Sequence, residues 1–167
     1  HGFYHGEHGL IGKVGLNRNN RVCLRWPLYE TIAHAPLMIH RPGQAKSRRH
    51  DCFVQPPDLY GAILELFGLE APAGCQSQPL LENMDEFVVA LDEVAISSPT
   101  FVLDAESRCP MNLRTKEWLY VYGGDEWASE LYDLRADPKE ENNLFEAHRD
   151  TAREMHALGT CYPNPAT

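Results

Sequence analysis

The second half of the chain is a series of short apolar or alternating runs separated by polar turns, and this pattern constrains the fold most. The runs lie at residues 87–91, 94–96, 100–103, 118–122 and 129–134. Such spacing is typical of antiparallel strands. Gly123-Gly124-Asp125 is a candidate hairpin turn, and a helix is expected between the turn at Asp137-Pro138 and about Leu158. We therefore expect a small antiparallel sheet followed by a C-terminal helix.

The first half of the chain has a different pattern. Asp58 is a good helix N-cap, apolar residues recur at helical spacing over residues 59–67, and Gly68 ends the pattern. One face of this helix is expected to pack on a sheet. The apolar run 35–40 predicts a buried strand, because Arg41-Pro42-Gly43 closes it with a turn. The change of pattern predicts an α/β part over residues 1–84 and a smaller α+β subdomain over residues 85–167.

The first thirteen residues concentrate groups that can do chemistry. They contain histidines at positions 1, 5 and 8, glycines at 2, 6, 9 and 12, and the charged residues Glu7 and Lys13. Glycines let the backbone approach a ligand closely, and imidazoles act as metal ligands or proton carriers near neutral pH. A frayed terminus is the alternative. Interleaved apolar residues such as Tyr4 and Leu10 favour a folded segment at a functional site.

Two motifs in this segment resemble those of the sulfatase family, in the alkaline-phosphatase-like superfamily. Sulfatases carry Asp-His-Gly or Asp-Asn-Gly at the end of a strand, followed by a loop of the form L-G-E-H-G-x-x-x-K. His1-Gly2 is similar to the end of the first motif, and residues 6–13 are similar to the second. The resemblance implies that His1 is a metal ligand and that Lys13 and His8 are catalytic. His5 departs from the pattern, which has an apolar residue there.

Three further segments extend the resemblance along the chain. They are residues 35–43, similar to V-P-L-I-I-x-x-P-G; residues 56–69, similar to V-D-L-x-P-T-L-L-D-L-A-G; and residues 130–144, similar to E-L-Y-D-L followed by D-P-x-E-x-x-N-L. The resemblance implies an α/β fold, in which this chain is the last part of an alkaline-phosphatase-like mixed sheet with helices. The first motif is cut at residue 1, so we expect a C-terminal portion of a longer protein.

The resemblance also implies a nucleophile and a metal. Sulfatases use a hydrated formylglycine made from the first residue of C-x-P-x-R or S-x-P-x-R, and these 167 residues contain neither motif. The run from Cys109-Pro110 to Arg114 has the wrong spacing, so the nucleophile is expected in a missing N-terminal part. Oxygen ligands with one histidine favour Ca²⁺, with Mn²⁺ or Mg²⁺ as alternatives.

Composition limits the partners. A formal net charge of −9 argues against general nucleic-acid binding, and no apolar run has the ~20 residues that span a bilayer. Five cysteines without metal-type spacing favour reduced thiols and a cytoplasmic protein. Three functions stay open: hydrolysis of a small-molecule or glycan sulfate ester, hydrolysis of a phosphonate or phosphate monoester, and a non-catalytic fragment or binding subunit. The sequence leaves the oligomeric state open.

Overall fold

The computed structural model describes residues 2–12, 15–16, 22–23, 26–40, 47, 49–78, 80, 93–98, 110–124 and 127–160. The chain divides into two compact units, one made of residues 1–37 and 96–167 and the other of residues 38–95. The first unit therefore joins the histidine-rich segment to the C-terminal segment. The domain boundary that we place near residue 84 stays a prediction.

The first unit begins with two short antiparallel pairs. They are β1 (Tyr4–His5) with β2 (Ile11–Gly12), and β3 (Gly15–Leu16) with β4 (Val22–Cys23). Tyr4 and Leu10 are buried, whereas Phe3 and Ile11 are exposed. The apolar residues of the N-terminal segment thus enter the core only in part, because a hairpin directs alternate side chains to opposite faces.

The main sheet of the first unit has four strands in sequence order. They are β5 (Ala95–Ser97), β6 (Met111–Arg114), β7 (Trp118–Tyr122) and β8 (Glu130–Asp133). The pairs β6–β7 and β7–β8 are antiparallel. The predicted strands at 94–96, 118–122 and 129–134 are confirmed, and those at 87–91 and 100–103 lie outside the described residues. In the turn after β7, Gly123 lies so close to the Trp127 carbonyl that a Cβ would collide with it.

The two faces of this sheet have different roles. Leu119 is opposite Tyr132, and Tyr120 is opposite Leu131, so the two pairs point to opposite faces. The first face, which also carries Val121, packs against Tyr4, Leu10, Trp26 and Tyr29. On the second face, the C-terminal helix α3 (Arg149–Thr160) packs over β6 and β7. Strand β7 is therefore covered on both faces.

Helix α3 spans Arg149–Thr160 and confirms the predicted C-terminal helix. It packs against β6 and β7. Ala152 and Met155 are its buried residues, three positions apart on one face. His156, one residue further on, approaches the Tyr120 hydroxyl at 3.4 Å.

The second unit contains α2, Pro56–Leu66, which begins earlier than the sequence pattern predicts. Gln55 is the N-cap, and Asp58 is the third helical residue of a capping box, with its Oδ2 accepting the Gln55 N–H at 2.7 Å. The N-cap assignment of Asp58 is therefore wrong, because two prolines fit the first turn, where no N–H is needed. The predicted stop is confirmed: Gly68 has a φ of 66°, and its N–H donates to the Glu65 carbonyl at 2.9 Å.

Two burial predictions for this region are wrong. Ile63, Leu66 and Phe67 of the α2 region are exposed, and Ala62 is the buried apolar residue of the helix. The run 35–40 forms no strand, and Met38 is 91% exposed. A strand needs a neighbour that pairs with its backbone, and no described residue supplies one for this run. Apolar sequence predicts burial only where a packing partner is present.

Candidate functional site

The loop between β1 and β2 is closed by hydrogen bonds within itself. Its tip is a short 3₁₀ turn, Glu7–Gly9. The Gly6 N–H donates to the Leu10 carbonyl at 3.0 Å, and the Leu10 N–H donates to the Glu7 carbonyl at 2.9 Å. The Glu7 carboxylate accepts the His5 N–H at 2.5 Å, and this bond is the main reason that the pKa of Glu7 is lowered. Glu7 therefore shapes the turn as an exposed, ionised carboxylate.

His8 lies inside an aromatic pocket. Its ring stacks on Tyr29 with 3.6 Å between centroids and 7° between planes, and the Tyr132 ring meets it edge-on at 6.0 Å. The His8 side chain is 14% exposed. Burial lowers the pKa of His8, and the negative charges of Glu7, Asp137 and Glu141 oppose that shift. His8 is consequently neutral at pH 7 and can accept a proton.

Tyr29 is held in place by β1 and by the main sheet. It precedes the short helix α1, Glu30–Ala33. The Tyr29 N–H donates to the Tyr4 hydroxyl at 2.8 Å, and that hydroxyl donates to the Pro27 carbonyl at 3.0 Å. On β6, the Asn112 side-chain amide accepts from the Leu28 N–H and donates to the Leu28 carbonyl, at 3.2 and 3.0 Å. These hydrogen bonds fix the position of Tyr29, on whose ring His8 stacks.

Glu130 on β8 connects the two tyrosines of the pocket. Its Oε2 accepts hydrogen bonds from the Tyr29 hydroxyl at 2.6 Å and from the Tyr132 hydroxyl at 2.8 Å. Burial raises the pKa of Glu130, and the two tyrosine bonds oppose the shift. Burial and the nearby Glu130 charge raise the pKa of Tyr29 and of Tyr132. Both phenols therefore stay protonated and act as donors.

Glu140 closes the pocket from the C-terminal segment. It is 2% exposed, and its Oε2 accepts the Glu30 N–H at 3.2 Å and lies 3.8 Å from His8 Nε2. Arg114 Nη1 lies 3.4 Å from Glu140 Oε1 and 2.7 Å from Glu30 Oε2. Burial raises the pKa of Glu140 to about 7, against the opposing effects of the Glu30 N–H and the Arg114 charge. A distance of 3.8 Å is an approach rather than a hydrogen bond.

Replacing Tyr29 with phenylalanine tests the hydrogen bond from the Tyr29 hydroxyl to Glu130. The ring that stacks on His8 is kept, but buried Glu130 loses one of its two tyrosine donors. Because a buried acceptor that loses its partner keeps its desolvation cost, we expect the free energy of unfolding to fall by about 1–2 kcal/mol. Urea unfolding measures it. The matched control is Tyr60→Phe, at a half-exposed tyrosine of α2, for which we expect a change within about 0.5 kcal/mol. Equal changes in the free energy of unfolding of both variants would show that the hydrogen bond from Tyr29 to Glu130 does not stabilise the fold.

The structure places one of the three predicted site residues. His8 lies in the pocket, whereas His1 and Lys13 lie outside the described residues. The catalytic and metal-binding roles of all three stay predictions. Sequence reasoning missed the residues that surround His8, namely Tyr29, Glu130, Tyr132 and Glu140. Both glutamates belong to the sulfatase-like segment 130–144, which we interpret only as a structural support for the last helix, so the signal was present in the sequence.

A divalent metal finds no complete set of ligands in the part of the chain that the structure describes. Within those residues, no group of three or more histidine, cysteine, aspartate or glutamate side chains could hold a metal ion. The ligand that the resemblance implies, His1, lies outside them. The described residues therefore do not by themselves hold a metal ion.

Two further sequence expectations concern thiols and membranes. Cys52 and Cys75 are thiols rather than members of disulfides, and Cys75 Sγ lies 3.3 Å from the Ser77 hydroxyl oxygen. The cytoplasmic location inferred from the cysteines stays a prediction. Among the described residues, every helix is too short or too polar to cross a lipid bilayer.

Comparison with known protein families identifies the class. A family model described as "N-sulphoglucosamine sulphohydrolase, C-terminal" matches residues 23–158, which is most of the chain. The chain therefore belongs to this sulfatase family. The match includes the segment 130–144 that carries Glu130 and Glu140, and it confirms the resemblance inferred from the motifs.

Individual relatives give the same class of name. The chain is 26% identical to arylsulfatase K of Bos taurus over 148 residues, covering 84% of this chain and 26% of the relative. It is 29% identical to arylsulfatase K of Xenopus laevis, covering 88% and 31%. It is 28% identical to N-acetylglucosamine-6-O-sulfatase of Bacteroides thetaiotaomicron, covering 86% and 25%. The chain thus spans roughly a quarter to a third of these relatives.

A solved structure is similar over part of the chain. It is a complex with its substrate, D-glucosamine-2-N,6-O-disulfate, at a TM-score of 0.43 and 20% identity, covering 66% of this chain and 25% of that one.

Proposed function

We propose that this chain is the C-terminal portion of a longer sulfuric ester hydrolase. The observation that carries the proposal is the family match over residues 23–158. The named relatives support it, because they carry the names of sulfatases. The chain covers only 25–31% of their length, as expected for a portion of a longer protein. The motif at residues 6–13 supports it independently, because it contains a histidine and a lysine within eight residues.

The substrate in this proposal is a sulfate ester on an amino sugar. One relative is named N-acetylglucosamine-6-O-sulfatase, which refers to an ester of this kind. The description of the family refers to N-sulphoglucosamine, which is also a sulfated amino sugar but carries its sulfo group on nitrogen. Hydrolysis of such an ester breaks a bond at a sulfur that carries anionic oxygens, so the site must stabilise negative charge. We assign this role to the ammonium of Lys13. His8, which is neutral at pH 7 because burial lowers its pKa, is proposed to accept or carry a proton.

Two components of the reaction lie beyond the described residues. His1 is proposed as a metal ligand for Ca²⁺, with Mn²⁺ or Mg²⁺ as alternatives, and such a cation would neutralise charge on the sulfate. The nucleophile is proposed to be a formylglycine in an upstream segment, because the 167 residues contain neither C-x-P-x-R nor S-x-P-x-R. The residues of this chain would then bind and orient the ester beside it.

We expect the full-length protein to hydrolyse p-nitrophenyl sulfate and glucosamine 6-O-sulfate, and the purified 167-residue chain to show no turnover of either ester. The physical reason is that the chain lacks the nucleophile motif. Release of p-nitrophenol and of sulfate measures the activity, with p-nitrophenyl phosphate assayed in parallel.

The outcomes separate the alternatives. Faster hydrolysis of the phosphate than of the sulfate would favour a phosphate or phosphonate monoester hydrolase. A full-length protein inactive on every ester would favour a non-catalytic role. Turnover by the isolated chain that is abolished by Lys13→Ala would show that the nucleophile lies within these residues.

A further inference from the structure

Two residues in the described part of the chain share an unusual backbone conformation and lie next to each other. Among those residues, His8 and Glu140 are the non-glycine residues with positive φ, at 53° and 60°. They are 132 positions apart in the sequence, yet His8 Nε2 and Glu140 Oε2 are separated by 3.8 Å. The sequence near either residue does not predict that the two side chains lie next to each other.

The left-handed conformation is unfavourable for residues with a Cβ. It persists where surrounding contacts over-determine it, and such residues cluster at functional sites. Glycine would avoid the strain at either position. The chain has glycine at 6, 9 and 12 around His8, but it has histidine and glutamate at the two positions that meet. Because glycine would fit both backbone conformations with less strain, we expect the side chains of His8 and Glu140 to have a role of their own.

The surroundings of Glu140 show what its side chain is used for. Arg114 approaches its Oε1 from β6, and the Glu30 N–H donates to its Oε2 from α1, so the carboxyl is anchored on both oxygens. Glu30, Asp137, Tyr4 and Tyr132 also interact electrostatically with Glu140. Glu7, Asp137 and Glu141 interact in the same way with His8. The anchored carboxyl approaches His8 Nε2 at 3.8 Å, while the His8 ring stacks on Tyr29.

We propose that Glu140 is a positioning residue that holds His8, and with it the loop of residues 5–10, against the C-terminal segment. We call two contacts of His8 the anchor: the stacking of its ring on Tyr29, and the approach of the Glu140 carboxyl to its Nε2. In this proposal, the glutamate of the D-P-x-E segment holds the histidine- and glycine-containing loop in place. The proposal goes beyond the proposed function and does not depend on which ester is hydrolysed.

The direct test is the titration of His8 in the 167-residue chain, followed by NMR of ¹³C-labelled histidine. Because the pKa of Glu140 is raised to about 7, the His8 imidazole signal should show an inflection near that pH in the wild type. We expect Glu140→Gln to abolish the inflection, because the glutamine does not ionise. The matched control is Glu141→Gln, an exposed neighbour whose charge also reaches His8; it should keep the inflection. Identical His8 curves in the wild type and Glu140→Gln would overturn the proposal.

A second variant separates positioning from backbone strain. Glu140→Gly relieves the strain at φ 60°, so a side chain without a role would leave the melting temperature unchanged or raise it. We expect the melting temperature to fall. Amide hydrogen exchange at Leu10 should also become faster by about tenfold or more, while exchange in α3 changes little. An unchanged Leu10 exchange rate, or a raised melting temperature, would show that Glu140 does not hold the loop.

These measurements contain no turnover step. A full-length protein that is inactive on sulfate esters would leave the His8 titration and the Leu10 exchange rate as they are. Failure of the proposed function and failure of the anchor are therefore distinguishable.

Discussion

Replacing Lys13 with alanine in the full-length protein is expected to lower kcat/KM for a sulfate ester by about a hundred- to a thousandfold. In the proposed function, the Lys13 ammonium counters charge that grows on the sulfate and on the leaving oxygen. Removing one such preorganised contact costs roughly 3–4 kcal/mol of transition-state stabilisation. The melting temperature should change little, because a single lysine that follows Gly12 in a glycine-rich segment contributes little to folding.

The matched control is Lys116→Ala, at an exposed lysine between β6 and β7. We expect kcat/KM to stay within about twofold in this variant, because surface charges contribute little. Lys13→Arg adds a second comparison: it keeps the charge with a different shape, so a partial recovery of kcat/KM is expected. Kinetics of Lys13→Ala equal to those of Lys116→Ala would remove Lys13 from the proposed site.

The second large effect is a pH dependence of stability that originates from Glu140. Its pKa is raised from the ordinary value of 4.5 to about 7 in the folded protein. Between these values the unfolded chain has lost the proton and the folded chain still holds it. Stability from this group is therefore complete below about pH 4.5 and is lost as the pH rises through 7. The loss amounts to roughly 3 kcal/mol at 1.36 kcal/mol per pKa unit.

The measurement is urea unfolding of the wild type and of Glu140→Gln at pH 5 and pH 8. Glutamine cannot ionise, so the stability of the variant relative to the wild type should increase between the two pH values by roughly 2–3 kcal/mol. Other titrating groups cancel in this double difference. Glu141→Gln, one residue away and exposed, should show a double difference within about 0.5 kcal/mol. Parallel pH profiles for the wild type and Glu140→Gln would show that Glu140 ionises normally.

Local sequence patterns predicted the elements whose pairing or terminating residues lie close by in the sequence. The strands β7 and β8 follow from apolar runs on each side of a glycine turn, and α3 was expected between the proline-containing turn at residues 137–138 and about Leu158. The stop of α2 follows from Gly68, since glycine adopts positive φ without strain. The position of the α2 N-cap was missed because Pro56 and Pro57 can either precede a helix or form its first turn.

Burial in the second unit could not be predicted in the same way. Ile63, Leu66 and Phe67 have helical spacing and are apolar, and yet they are exposed. Periodicity identifies which side chains share a face, but burial needs a second surface against that face. The run 35–40 failed as a strand for the same reason, because strand pairing is a contact with another segment.

The sequence by itself determined the family, through motifs at residues 6–13 and 130–144, and it identified His8 as a candidate because of its place in the first motif. Only the tertiary structure decided that the two motifs meet. The contact of His8 with Tyr29 and Glu140 joins residues separated by 21 and 132 positions, and no local pattern encodes such a distance. The raised pKa of Glu140 and the lowered pKa of His8 arise from burial in that meeting place, so they exist only once the chain has folded.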